Sequence, residues 1–191
     1  MKIGLTGGIG CGKSTVSKLF AENGFSTLDA DKVVHELLAS DPGTIAAVVD
    51  LFGPEVEKEE GGIDREAVGK SVFGDEPKLR ELEAILHPRV RERWQSLPDS
   101  GDWLIEIPLL FEKKLQKSVD LSICVFSDPQ TQVERLEQRG MNRTQALARM
   151  NRQMPVAEKA TLADYVLLND GSQSFLSEQV RSLLSKIRTP Q

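Results

Sequence analysis

The chain has only two cysteines among 191 residues, and they stand in unlike settings, Cys11 in a glycine-rich stretch and Cys124 in an apolar one. That argues against a disulfide framework and fits a reducing compartment. It has no run of about 18 apolar residues, so no membrane span is expected. No apolar stretch of signal-peptide length follows Met1-Lys2-Ile3, and Lys13 interrupts what there is, so the cytoplasm is the expected location. Positive charge is short too: 24 basic residues stand against 29 acidic ones, a formal charge of -5. No global field therefore exists to hold a nucleic-acid backbone or an anionic membrane, and any anion must be met by local chemistry. No internal repeat, low-complexity tract or linker divides the chain, and its 39% hydrophobic content suits one well-cored domain over residues 1–191.

What the chain does have is glycine in one place. Residues 4–15 read GLTGGIGCGKST, and Gly7 to Ser14 satisfy G-x-x-x-x-G-K-[ST]. An apolar segment at 2–6 precedes it, and 14–21 follows with Val16, Leu19 and Phe20 at helical spacing, the strand-to-helix context that a phosphate-binding loop requires. Bare backbone lets successive N–H groups converge on phosphate oxygens, and the helix amino terminus adds partial positive charge. Lys13 reaches the β- and γ-phosphates, and Ser14 offers its hydroxyl to Mg²⁺.

The rest of the chain alternates in the same way. Gly24 ends the first helix, 25–28 reads as a second strand, and a helix is expected over 32–39. Residues 41–98 are mostly helical, with Ile45, Val48, Val49 and Phe52 on one face and a long run over 77–94 that Pro88 interrupts. The stretch EVEKEEGGID at 55–64 is expected as a solvated hairpin or loop. Strands are expected at 103–107, 121–126 and 165–168, and helices at 129–139, about 143–154 and 173–187, the last capped by Ser172 or Ser174. Five strands with helices between them predict an open, doubly wound parallel sheet with its ligand at the strands' carboxyl ends.

Phosphoryl transfer further needs a group orienting the nucleophile and cations over the transferred oxygens. Asp29 and Asp31 follow the second strand; Asp31 is either a base or the cap of the next helix. Four arginines, 139, 143, 149 and 152, occur between 139 and 154 with no acidic residue. A helix there would set Leu147, Met150 and Met154 against the core and Arg149 with Arg152 outward, with Asn142 and Gln145 as a capping pair. Such a segment can close over ATP as a lid. His87 beside Pro88 is structural or catalytic, and Glu106 orients Mg²⁺-bound water or faces a polar rim; both choices stay open.

Taken together, LTGGIGCGKST at 5–15, LDADKVVHELL at 28–38, LHPRV at 86–90, PLLFE at 108–112 and ADYVLLNDGS at 163–172 resemble the dephospho-coenzyme A kinases, over nearly the whole chain. The resemblance implies a P-loop NTPase fold with an acceptor-binding helical region at about 31–97 and a lid at about 137–155. It implies ATP-dependent phosphorylation of the ribose 3'-hydroxyl of dephospho-coenzyme A, the last step of coenzyme A synthesis. Asp31 then matches the family's general base and works with Lys13 and Arg139. ATP contacts are implied for Gly8, Ile9, Gly10, Cys11, Gly12, Lys13, Ser14, Thr15, Arg139 and Asn169, Mg²⁺ for Ser14, and acceptor contacts for Asp31, His87, Leu109 and Glu112. Arg149 and Gln153 match the tail of the lid. Two departures stand out: Gln145 and Ala146 replace the acidic residue usual after Thr144, and Cys11 replaces a small residue such as Ser, where it should fit. A monomer is the expected form, with oligomers left open. A kinase for another nucleotide or nucleoside shares the loop and the arginines. A GTP-dependent switch does not fit, since N-K-x-D is absent and the D-x-x-G match at 50–53 falls in a helical segment.

Overall fold

A computed structural model of the chain describes residues 1–188. Strands β1 (Lys2–Gly7), β2 (Ser26–Asp29), β3 (Trp103–Glu106), β4 (Leu121–Phe126) and β5 (Tyr165–Leu168) form one parallel sheet in the order β2-β3-β1-β4-β5. β1 is the central strand, pairing Leu5 with Glu106 of β3 and Gly7 with Val125 of β4. Both its faces are covered, so it is buried from Ile3 onward and reads as an apolar run rather than an alternating one. The helices are α1 (Lys13–Glu22), α2 (Ala30–Ser40), α3 (Pro42–Phe52), α4 (Arg65–Val72), α5 (Glu76–Gln95), α6 (Pro129–Gln138), α7 (Arg143–Met150), α8 (Val156–Leu162) and α9 (Gln173–Arg188).

Contacts divide the chain into two compact units, Met1–Leu28 with Asp99–Gln191, and Asp29–Pro98. In the first, Ile3, Leu5, Val16, Phe20, Ile123, Val125, Leu176 and Val180 form the core between the sheet, α1 and α9. Each such side chain contributes about 1.5–3 kcal/mol by leaving water. Phe20 meets Phe25 edge-on at 5.1 Å, and the Arg188 guanidinium lies 5.2 Å from the Phe25 ring, closing the bottom of α1. Ser172 caps α9, accepting from the Phe175 amide at 3.2 Å.

The second unit is helical. Leu38, Val48, Val56, Ile63, Val68, Leu82 and Leu86 make its core, and Ile45, Val49 and Phe52 pack against it, as their spacing predicts. The acidic 55–64 stretch is a hairpin: Glu57 pairs with Ile63, and the Lys58 amide donates to Gly62 O at 2.9 Å. Asp50 lies within α3, so the D-x-x-G match is a helix end.

Three local expectations are corrected. α5 runs unbroken through Pro88. Proline removes one helix N–H, but Leu82, Leu86, Val90 and Trp94 bury one continuous stripe, and the Arg89 guanidinium donates to Ile85 O at 2.7 Å beside the gap. The 143–154 helix ends earlier, at Met150, and α8 begins after Pro155; Pro155 disfavours helical geometry at Met154, so the helix does not reach 154. The residue of α7 that turns inward is Ala146, fully buried, whereas Leu147 is 41% exposed; a short helix lying close to its support has room for a methyl and not for an isobutyl group.

Asp164 joins the start of β5 to β4, accepting from Ser122 N at 2.8 Å and Ser122 Oγ at 2.6 Å. These bonds, the hydroxyl first, hold its carboxyl below the usual aspartate value. The cap carboxylates Asp41, Asp64 and Asp128 are lowered in the same way, by bonds from Thr44, from the Ala67 amide and from the Thr131 amide. Groups lowered by folding stabilise fully above the ordinary aspartate value of about 3.9 and lose that contribution as pH falls through their lowered values. Urea midpoints measured across pH should therefore decline below about pH 4. Asp164→Asn should remove part of that decline, and an unchanged profile in this variant would contradict the assignment.

Candidate active site

The loop between β1 and α1 is shaped by two left-handed glycines, Gly10 (φ +82°) and Gly12 (φ +88°), where a side chain would be strained. A methyl group on Gly10 would also come within 2.9 Å of Gln132 O, and one on Gly8 within 2.5 Å of Gln132 Oε1. The loop carbonyls are tied back. Asn169 Nδ2 donates to Cys11 O at 2.8 Å, Arg135 Nη1 to Gly10 O at 3.2 Å, and Lys13 Nζ to Gly8 O at 3.3 Å and Gly7 O at 3.4 Å. The amides behave differently. Cys11 N donates to Gly8 O at 3.2 Å and Ile9 N to Gln153 Oε1 at 3.1 Å. Those of Gly10, Gly12, Lys13 and Ser14 enter no hydrogen bond among the described residues. Four donors at the positive end of α1, with an ammonium beside them, make an anion cradle. Thr15 sits in the first turn, its amide bonded to Gly12 O at 3.0 Å.

The wall behind the loop was not legible in advance. Arg135 also donates to Asn169 O at 2.6 Å and to Ser127 Oγ at 3.0 Å. Buried Gln132 donates to Ser127 O at 2.9 Å. The available signal was positional: Gln132 and Arg135 interrupt the stripe that Val133 and Leu136 bury on α6. Asn169, expected at the nucleotide, is 9% exposed and directs its side-chain amide to the back of the loop. Cys11 fits its position, with no exposed surface, and burial pushes its thiol up; Cys124 is pushed up to about 12 by the same cause. Both therefore stay protonated at neutral pH, which leaves no thiolate for redox chemistry.

The other expected residues belong to several elements. Glu106 ends β3 and accepts from Ser17 Oγ at 3.2 Å. Leu109 is half-buried in the turn after Pro108. Glu112 is an internal ion-pair partner: Oε1 lies 2.8 Å from Lys159 Nζ, which has no exposed surface, and accepts from the Met154 amide at 3.0 Å. Its Oε2 is buried without a hydrogen-bond partner among the described residues. Arg139 closes α6 as its C-terminal cap and is exposed. Asn142 and Gln145 form the expected capping box on α7, at 2.9 and 3.0 Å. In the second unit Asp31 and His87 are exposed. Asp31 is not the cap of α2: Asp29 is, accepting from Asp31 N at 2.9 Å and Lys32 N at 3.3 Å. The cap falls there because helix geometry begins at Ala30, directly after β2.

A glycine cradle at the end of the central strand of a parallel sheet, with an arginine-rich helical segment after β4, defines a P-loop kinase. The model of the dephospho-CoA kinase family matches residues 1–174, and the chain belongs to that family. A dephospho-CoA kinase of Carboxydothermus hydrogenoformans is 44% identical over 96% of this chain and 93% of its own length. One from Aquifex aeolicus is 38% identical over 97% of both. Among solved structures, a dephospho-CoA kinase from Campylobacter jejuni is similar with a TM-score of 0.73 at 28% identity, over 98% of each chain. A shikimate kinase from Acinetobacter baumannii, with a TM-score of 0.56 at 16% identity over 99% of this chain and 95% of that one, shares the fold alone.

The Glu112–Lys159 pair gives a test of its own. Removing one member strands a buried charge, so Glu112→Gln and Lys159→Met should each cost about 3–5 kcal/mol in denaturant unfolding. The double variant should cost clearly less than the sum, and simple additivity would show that the two side chains do not interact.

Proposed function

We propose that the loop, Lys13, Asp31 and Arg139 carry out the family's reaction, ATP-dependent phosphorylation of dephospho-CoA to coenzyme A with release of ADP, and that the phosphoryl group goes to the ribose 3'-hydroxyl. The observation that carries this reading is the set of four loop amides, Gly10, Gly12, Lys13 and Ser14, with no partner among the described residues. Convergent donors at a helix amino terminus suit the β- and γ-phosphates of ATP, and the Lys13 ammonium adds a point charge that can leave its carbonyl partners for them. The donor chemistry also fits a hard cation: Ser14, exposed in the first turn of α1, would hold Mg²⁺ through its hydroxyl, and the ion would supply charge neutralisation across the phosphates.

In the transfer step Asp31 accepts the hydroxyl proton. The alcohol oxygen forms its bond to the γ-phosphorus as the bond to the β–γ bridging oxygen breaks, and that electron pair leaves with ADP. Because Asp29 already supplies the cap of α2, the Asp31 carboxylate is not required for that job. Arg139 and the arginines after it cover the equatorial oxygens and exclude water. His87 and Leu109 are assigned to the acceptor. Glu112 is assigned to support, since its Oε1 is engaged and its Oε2 is enclosed. The working form is taken to be a cytoplasmic monomer; among the described residues no helix is long and apolar enough to cross a membrane.

Asp31→Asn should fold and bind ATP within about twofold of the parent while kcat falls by about 100- to 10,000-fold. The reading is checked by ADP release in the presence of dephospho-CoA. Near-parental turnover would remove Asp31 from the chemistry.

A further inference from the structure

We propose that Gln153 is a positioning residue for the phosphate loop, fixing the turn at Ile9, and that the Glu112–Lys159 pair holds Gln153 in place. The inference rests on the kinase reading above. Ile9 is flanked by glycines at 7, 8 and 10, so its turn has little conformational preference of its own. Its amide is nevertheless held, by Gln153 Oε1 at 3.1 Å, across 144 residues of sequence. Gln153 lies past the end of α7, and its neighbour is tied down: Met154 N donates to Glu112 Oε1 at 3.0 Å. Glu112 is paired with Lys159 at 2.8 Å. Lys159 Nζ donates to Pro108 O at 2.6 Å, and that same carbonyl accepts from Thr6 Oγ1 of β1 at 3.1 Å. The circuit therefore starts on the loop that leaves β1 and returns to β1. The arginine segment is bolted at its trailing end to the element it must cover.

The chemistry of the bolt is specific. A neutral amide oxygen can accept from Ile9 without opposing a polyphosphate nearby. A carboxylate of the same length could accept equally well but would repel the ligand. With the turn held beforehand, ATP need not order it on binding.

The test measures the ATP dissociation constant by calorimetry without acceptor, and kcat at saturating ATP with dephospho-CoA. Gln153→Ala should weaken ATP binding about fivefold, the worth of one neutral hydrogen bond, with kcat within about twofold of the parent. Gln153→Glu should weaken it more, by a factor that shrinks as salt is raised, whereas the alanine deficit should not respond to salt. ATP affinity unchanged or tightened in Gln153→Ala would overturn the proposal, as would a fall in kcat at unchanged affinity or parental binding by Gln153→Glu. If the parent binds ATP but does not phosphorylate dephospho-CoA, the acceptor assignment fails, and the Gln153 proposal still stands or falls on the binding constants.

Discussion

If residues 8–14 bind the nucleotide as proposed, their backbone has to present its amides to the ligand and keep its carbonyls away from it, and the surrounding structure fits that requirement. A short glycine-rich stretch does not hold such a shape unaided, because glycine leaves too many conformations open. Here the carbonyls of Gly10 and Cys11 are caught by Arg135 and Asn169, and Gly12 starts α1 without any side-chain cap. The cost of leaving donors unpaired, about 1–3 kcal/mol for each one that is desolvated, is borne by a sheet whose central strand is buried along almost all its length. The core under the loop is therefore part of the site's chemistry.

The same requirement explains where polar groups enter the interior. Gln132, Ser127 and Asn169 are buried, yet each is hydrogen-bonded within one cluster behind the loop. Lys159, with no exposed surface, is matched by Glu112 and Pro108 O. Buried polar groups are tolerated when paired. In this chain the pairs bind segments far apart in sequence, β1, the turn at 108–112, and the stretch from α7 to α8, to one another.

Much of this was open to reading from residues alone. The phosphate loop announced itself by spacing and context, and β1, β3 and β4 were placed within a residue because buried parallel strands are apolar runs bounded by turn residues. The Asn142–Gln145 capping box was legible because both partners are local. What escaped was decided by tertiary packing. Pro88 reads as a break, yet the buried stripe of α5 and the Arg89 side chain carry the helix past it. Leu147 reads as core, but only Ala146 has space. Arg135 reads as an ordinary charged residue of α6, and its three acceptors, Gly10 O, Ser127 Oγ and Asn169 O, come from segments that no local pattern connects. Asp29 rather than Asp31 caps α2 because the helix starts two residues earlier than its apolar spacing suggests.

The central claim is that the loop amides themselves grip the nucleotide. Amide NMR of the ¹⁵N-labelled protein titrated with ATP tests it most directly. The account predicts that the largest shifts fall on Gly10, Gly12, Lys13 and Ser14, the amides without a partner among the described residues. Saturable ATP binding that leaves these four resonances in place and moves others instead would contradict it.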